Sequence, residues 1–343
     1  MHRFKHVVET YTDRAAIEDT WDERVGDVRW TYGYLGLRVK LLSARIAAKE
    51  LPRDKPIALY VDQGRHFILA ALAVIHAGHF WTPLDPSSAS DRNAHILRDS
   101  RSSVVISMRD KLADARMLAA AADVPHARRD ILLVDEVRNF PRAKSGIEDK
   151  RYLDYGDYSA VEEYGSSGAK CTFPLGGAAA TTTNALAFIL YTSGSSGAPK
   201  GVVYSHYSTL HNARRHINAF EIRPSDRQSL LYPTTVYGGV RDIFNTILAG
   251  ACVCRYPLQT AGIAPLCTWV REKRITLFSS VATVYRQFVK AVLDEDCFYP
   301  DMRIVKVGGE AGALDVHICI YLSLSLSLSL CVCVFVCVCV SMY

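Results

Sequence analysis

The 343-residue sequence lacks the features that mark nucleic-acid-binding or secreted proteins. Its net charge of +5 is spread along the chain, with no block of about five or six like charges. We therefore expect neither a nucleic-acid partner nor association with an anionic membrane surface. The N-terminus has no apolar segment typical of a signal peptide, and we expect a cytoplasmic protein.

The ten cysteines lack the spacing of a metal or redox site. No CxxC pair and no accompanying histidine cluster occurs in the sequence, so we assign no metal ligand. Cys252 and Cys254 are separated by one residue in a strand-like segment, which predicts that both thiols point to the same face. We expect the cysteines before the tail to be reduced, buried thiols.

Strand and helix patterns alternate over residues 56–134. The pattern predicts strands at 56–61, 103–107 and 131–134, and helices at 67–77 and 112–122. Gly78 is the residue type expected just after the end of the first helix. Fully apolar strands that alternate with helices are typical of a doubly wound, mostly parallel α/β sheet covered on both faces.

Residues 141–184 interrupt this alternation with clusters of glycine, serine, alanine and threonine. No steady period is present, so we predict a mobile insertion. The alternation resumes at Leu186 and predicts a second parallel sheet, with strands at 229–232, 251–256, 275–278 and 303–307 and helices at 208–220, 240–249, 263–273 and 281–293.

The C-terminal tail at 316–343 differs from the rest of the chain. Ser-Leu repeats are followed by Cys-Val repeats, and no charged residue follows Asp315. The apolar run is long enough for a membrane-spanning helix, so a membrane anchor at 318–340 is one interpretation. Ser-Leu and Cys-Val repeats are also what CT and TG dinucleotide repeats encode. We favour a translated repeat, which is not a domain.

The strongest chemical signal is the segment Tyr-Thr-Ser-Gly-Ser-Ser-Gly-Ala-Pro-Lys-Gly at 191–201. Its glycines let the backbone approach an anion closely, and its hydroxyls and lysine supply donors and positive charge. The residues concerned are Thr192, Ser193, Gly194, Ser195, Ser196, Gly197 and Lys200. The spacing of a Walker A loop is not met. The segment predicts a different polyphosphate-binding loop between two strands.

This segment resembles the phosphate-loop signature of the adenylate-forming, or AMP-binding, superfamily of acyl-CoA synthetases, peptide-synthetase adenylation domains and luciferases. Companion segments of that family have counterparts in the same order, at 30–35, 77–86, 242–251 and 307–311. The resemblance implies that residues 1–315 are most of a large N-terminal domain, with mostly parallel doubly wound sheets. Within the family, the first two segments resemble adenylation domains most.

The resemblance also implies a reaction and a set of site residues. A carboxylic acid would react with Mg-ATP to give an acyl-adenylate and pyrophosphate. The acyl group would then pass to coenzyme A or to the phosphopantetheine of an acyl or peptidyl carrier protein. The implied catalytic residues are Thr192 and Lys200, and the implied nucleotide-binding residues are these two with Ser193, Gly194, Ser195, Ser196, Gly197, Gly308, Gly309 and Glu310. The implied substrate-binding residues are His206, Tyr237, Gly238 and Gly239.

Several family motifs have no counterpart in this sequence. They are an Asn-x-Tyr-Gly-Pro-Thr-Glu motif whose Glu holds magnesium, a Tyr-Arg-Thr-Gly-Asp motif that binds ribose, and a small C-terminal domain with a catalytic lysine. We therefore expect the chain alone to show no acid-dependent ATP–pyrophosphate exchange. The alternative hypothesis is a non-catalytic nucleotide-binding fragment or interaction module, with or without a membrane tether in the tail.

Smaller signals concern the substrate. Tyr237 stands where amino-acid-activating domains have an aspartate that pairs with the substrate ammonium. A neutral tyrosine cannot offset a buried ammonium, so an acid without an α-amino group is expected: an aryl, keto, hydroxy or short acyl acid. Gly238 and Gly239 would leave room and backbone donors near the carboxylate. Two alternatives stay open, a one-residue alignment slip and an amine held by Asp242. His206 fits a pocket or a structural role, whereas Trp81 and Tyr32 are expected to pack.

Overall fold

The computed structural model describes residues 1–22, 26–123, 131–135, 184–193, 198–295 and 299–308. They form two compact units, the first from 1–14, 30–212 and 234–237 and the second from 15–29, 213–233 and 238–308. The predicted insertion, apart from residue 184, and the tail at 316–343 lie outside the described residues.

Helices and strands alternate through most of the described chain. In order they are α1 (His2–Thr10), β1 (Ala15–Asp22), β2 (Gly26–Thr31), α2 (Tyr32–Ala47), β3 (Ile57–Tyr60), α3 (Arg65–His76), β4 (Trp81–Leu84), α4 (Ser90–Asp99), β5 (Val104–Ser107), α5 (Leu112–Ala121), β6 (Ile131–Leu133), β7 (Leu186–Ser193), β8 (Pro199–Ser205), α6 (His206–Ala219), β9 (Arg227–Leu230), α7 (Tyr237–Ala249), β10 (Cys252–Arg255), α8 (Leu258–Ala261), α9 (Leu266–Glu272), β11 (Leu277–Ser280), α10 (Ala282–Glu295) and β12 (Ile304–Val307).

The sheet of the first unit has the strand order β6-β5-β3-β4-β7-β8. Its strands pair in parallel except for β7 and β8, which form an antiparallel pair. Strands β3, β4 and β5 are buried along their whole length, as expected for a sheet covered on both faces. Helix α3 is almost entirely apolar and ends before Gly78, whose φ of 81° is a conformation that favours glycine.

The sheet of the second unit has the order β12-β11-β9-β10-β1-β2. The pairs β12–β11, β11–β9, β9–β10 and β10–β1 are parallel, so these strands have their carboxyl ends at one edge. Aromatic residues of α9, α10 and β11 fill the core on one face, among them Trp269, Phe278, Tyr285 and Phe288. The edge with the carboxyl ends is where open α/β sheets bind ligands.

The predicted fold class is confirmed, and most predicted elements are present. Three element predictions were wrong in detail, one of them the strand predicted at 229–232, which is shifted to Arg227–Leu230. The single helix at 263–273 is replaced by α8 and α9, because Gly262 (φ 72°) and Pro265 lie between them. The strand predicted at 275–278 is shifted to Leu277–Ser280. The two thiols of β10 do share a face, with 3.9 Å between the sulfur atoms of Cys252 and Cys254.

None of the helices in the described part of the chain is long and apolar enough to cross a membrane.

Candidate active site

The strands that flank the predicted phosphate loop form a β-hairpin. Strands β7 and β8 are antiparallel, and their register pairs Thr192 with Lys200 and Ser193 with Pro199. Directly paired residues have Cβ atoms about 5 Å apart, so the two predicted catalytic residues are cross-strand neighbours. Both are exposed. The hairpin therefore presents a hydroxyl and an ammonium together at the base of the loop.

The predicted loop residues beyond this base are Gly194, Ser195, Ser196 and Gly197, which lie outside the described residues, as does the side chain of Ser193. Their roles stay predictions. Gly201, the last residue of the motif, pairs with Tyr191 across the hairpin. A Cβ atom at Gly201 would lie 3.2 Å from Cζ of Tyr191, so glycine lets the two strands hold this tyrosine closely.

His206 is the first residue of α6, directly after β8. Its backbone N–H donates to the carbonyl of Ala185, 2.9 Å away, which joins the helix to the start of β7. Burial lowers the pKa of the imidazole, so the ring is neutral at pH 7. These contacts give His206 a structural position, and a role in substrate binding stays a prediction.

Tyr237 ends a stack of four aromatic rings. Its ring lies 5.1 Å from that of Tyr204 with an angle of 8° between the planes. Tyr204 stacks on Phe188 at 4.7 Å, and Phe188 stacks on Trp81 at 4.8 Å. The stack joins β4, β7 and β8 to Tyr237, and its place at the family's aspartate position stays a prediction. Burial accounts for Trp81 as a packing residue, as predicted, and Tyr32 is likewise buried.

Gly238 and Gly239 lie in the first turn of α7, where backbone N–H groups have no partner within the helix. The room that we expected beside them is occupied at the Cβ positions. A Cβ atom at Gly239 would lie 2.3 Å from the carbonyl oxygen of Pro233, and one at Gly238 would lie 2.9 Å from the ring of Tyr232. These glycines allow close packing of the preceding loop, and room for a substrate carboxylate beside them stays a prediction.

Tyr232 follows β9 at the sheet edge that carries the carboxyl ends of the strands. Its hydroxyl donates to the carbonyl of Ser280 at 2.6 Å and lies 3.0 Å from the carbonyl oxygen of Gly308. Burial, with the nearby Asp242 carboxylate, raises the pKa of Tyr232 to about 12. Tyr232 therefore contacts both Gly308, which we predict to bind nucleotide, and Gly238, which we predict to bind substrate. Gly309 and Glu310 lie outside the described residues.

A buried cluster of charged side chains links α7 to β12. Asp242 Oδ1 is 3.0 Å from Lys306 Nζ and 3.1 Å from Nε of Arg241, and Lys306 also donates to Gln228 at 2.9 Å. Burial alone would raise the pKa of Asp242, but the charges of Lys306 and Arg241 outweigh it and lower the pKa. Asp242 is thus ionised and paired with cations of this chain.

Sequence reasoning missed Lys306 and Gln228. A signal for Lys306 was available, because a lone lysine in the apolar strand Ile304–Val307 needs a buried partner. Gln228 gives no such signal. Within the described ranges, no three histidine, cysteine or acidic side chains come together as a metal site.

Comparison with known proteins identifies the family. The model of the family described as AMP-binding enzyme matches residues 4–318, so the chain belongs to this family. A linear gramicidin synthase protein from Brevibacillus parabrevis is 28% identical over 286 residues, which are 83% of this chain and 3% of that protein. The chain thus spans a small fraction of this relative's length.

Solved structures show the same fold. VinN in complex with L-aspartate has a TM-score of 0.71 at 18% identity, covering 94% of this chain and 72% of that one. The N-terminal subdomain of Klebsiella oxytoca NpsA, in complex with 3-hydroxybenzoyl-AMSN, has a TM-score of 0.66 at 18% identity, covering 90% and 66%. The predicted resemblance to adenylate-forming enzymes is confirmed.

Proposed function

We propose that the protein to which these residues belong activates a carboxylic acid with ATP, forming an acyl-adenylate and pyrophosphate. The observation that carries this proposal is the pairing of Thr192 with Lys200 at the base of the glycine- and serine-rich loop, in a chain of the AMP-binding enzyme family. The adenylate would then transfer its acyl group to the thiol of coenzyme A or of a carrier-protein phosphopantetheine.

The two hairpin residues would act on the phosphates that leave. The ammonium of Lys200 would pair with the oxygens of the β- and γ-phosphates, and the hydroxyl of Thr192 would donate to them. Negative charge moves onto the pyrophosphate as the carboxylate attacks the α-phosphorus, so donors fixed at that position favour the transition state. Magnesium bound with ATP would neutralise further phosphate charge. No magnesium ligand is assigned to this chain.

The buried cluster of Asp242, Lys306 and Arg241 is relevant to which carboxylic acid the protein activates. If the substrate carried an α-ammonium, this chain would have to supply a carboxylate in place of the family's aspartate. Asp242 is a poor choice, because it is 1% exposed and already paired with Lys306 and Arg241. A substrate ammonium would be a third cation beside Lys306 and Arg241 and would add repulsion. This argues against an amine held by Asp242, which was one of the alternatives.

We therefore propose an acid without an α-amino group. Solved relatives in complex with L-aspartate and with 3-hydroxybenzoyl-AMSN both have this fold, so the fold alone does not select between the two kinds of acid. Tyr237 supports an acid without an α-amino group, because its neutral aromatic ring stands where we predict the family's aspartate to be.

Acid-dependent exchange of labelled pyrophosphate into ATP, measured with the full-length protein, tests the proposal. Each proteinogenic amino acid is compared with its deaminated analogue, and aryl acids are added to the panel. We expect exchange with one or more deaminated or aryl acids. Preference for an α-amino acid over its deaminated twin would contradict the substrate proposal. Nucleotide binding without any exchange would support a non-catalytic module instead.

A further inference from the structure

One face of helix α4 contacts both strands of the phosphate-loop hairpin. Arg92 donates from Nη2 to the carbonyl of Tyr191 at 3.2 Å, immediately before Thr192. His95 Nε2 lies 3.4 Å from the carbonyl oxygen of Pro199, immediately before Lys200. The spacing of three residues puts both side chains on the same face of the helix. Each contact thus falls on the peptide group that leads into a predicted catalytic residue.

A third residue on this face, Asp99, holds the side chain of Tyr191. The tyrosine hydroxyl donates to Asp99 Oδ2 at 2.6 Å, a length typical of a bond to an ionised acceptor. Burial, and then the bond to Asp99, raises the pKa of Tyr191, so its hydroxyl stays protonated at neutral pH. Helix α4 therefore holds Tyr191, near the end of β7, by both its backbone carbonyl and its side chain.

Helix α4 is itself fixed in the first unit. Asn93 is buried and exchanges two hydrogen bonds with the backbone of Asp85, at 2.7 and 3.1 Å. Ala94, Ile96 and Leu97 are buried in the hydrophobic core of the same unit. A helix anchored in this way can hold the hairpin in place, because its own side chains have little freedom to shift.

We propose that Arg92, His95 and Asp99 are positioning residues that hold Thr192 and Lys200 in the geometry that binds the phosphates of ATP. The inference rests on the proposed function, since it requires the hairpin to be the phosphate site. Ordering a binding segment at the moment of binding reduces affinity. Contacts that fix the two strands beforehand lower this cost, and productive phosphate geometry depends on such placement.

The test is calorimetric titration of the 343-residue chain with inorganic pyrophosphate and magnesium. Replacing Arg92 by Met removes the bond to the Tyr191 carbonyl. Arg98→Met is the matched control, because Arg98 lies on the same helix and donates to the carbonyl of Ala121 on α5 at 3.1 Å. We expect Arg92→Met to weaken binding about threefold to tenfold, less than the loss of a direct charge-assisted contact because Arg92 acts through the hairpin, and Arg98→Met to stay within about twofold. Arg92→Lys should restore part of the loss.

Coupling separates positioning from general damage to the fold. In a chain that already carries Thr192→Ala, Arg92→Met should have little further effect, because the hydroxyl that Arg92 positions is gone. Tyr191→Phe, which keeps the ring and removes the bond to Asp99, serves if Arg92→Met does not fold, and it should weaken binding in the same way. Thermal unfolding of each variant confirms that the fold is retained.

Two results would overturn the inference. If Lys200→Ala weakens binding while Arg92→Met and Tyr191→Phe match the Arg98→Met control, the phosphate site is confirmed and the positioning role is wrong. If Lys200→Ala itself leaves binding unchanged, the hairpin is not the phosphate site, and the proposed function fails together with the inference.

Discussion

Lys306 Nζ lies 3.0 Å from Asp242 Oδ1 in a site where the two side chains are 6% and 1% exposed. The lysine is on the last described strand of the second sheet, and the aspartate is on α7, 64 residues earlier. Burying one of these charges without the other would be costly, so the pair joins α7 to the sheet edge that carries Tyr232 and Gly308.

The first prediction concerns this pair. Asp242→Asn or Lys306→Met leaves the other partner as a buried charge that has lost its main counter-ion, and each should reduce the free energy of unfolding by about 3–5 kcal/mol. The double variant should lose clearly less than the sum, by about 1 kcal/mol or more. Denaturant unfolding of the four proteins measures this. As a control, Glu9→Gln removes an exposed pair with Lys5 and should cost under about 1 kcal/mol. Additive losses would show that the pair is not coupled.

The second prediction concerns how the contribution of Asp242 to the free energy of unfolding depends on pH. The pKa of Asp242 is lowered in the folded protein, so the stability that it provides is complete above the unfolded-state value of about 3.9. That stability is lost as pH falls through the lower folded value. The difference in unfolding free energy between the unmodified chain and Asp242→Asn should therefore be constant from about pH 5 to 7 and shrink below about pH 4. A difference that shrinks above pH 5 would contradict this.

Much of the first and second sheets could be predicted, because their strands are apolar runs between helices with clear ends. Strand β1 was missed for a physical reason. It contains Glu18 and Asp19, which look like surface residues in sequence, yet both are paired with arginines of strands more than 200 residues later. Glu18 binds Arg227, and Asp19 binds Arg255. Such long-range pairing has no local signal.

Strand β4 was missed because Pro83 lies within it. Proline has no N–H to donate to a ladder, so its presence argues against a central strand. At the site, the phosphate loop followed from its glycines, hydroxyls and lysine, whereas the role of Tyr237 followed from resemblance alone. The contacts of Arg92 and Asp99 with the hairpin could not, because helix spacing does not tell which distant strand a face will meet.

The third prediction concerns the glycines of α7. Gly239→Ala would place a Cβ atom 2.3 Å from a backbone carbonyl, which cannot move without shifting the chain. We expect a loss of about 1–3 kcal/mol or more in unfolding free energy. Gly238→Ala is the matched variant, since its Cβ would meet a side chain, the ring of Tyr232, at 2.9 Å rather than backbone at 2.3 Å, and alanine favours the helix by about 1 kcal/mol. Urea unfolding should rank Gly239→Ala as clearly less stable. Equal stability would contradict the close packing.

The most direct test of the account is whether Lys200 binds phosphate. Titration of the unmodified chain with pyrophosphate and magnesium is compared with Lys200→Ala and with Lys290→Ala, an exposed lysine on α10. A lost charge-assisted contact of about 1.5–3 kcal/mol predicts that Lys200→Ala weakens affinity about tenfold or more. Lys290→Ala should bind as the unmodified chain does. Equal affinity of the Lys200→Ala protein and the unmodified chain would contradict the assignment of this hairpin as the phosphate site.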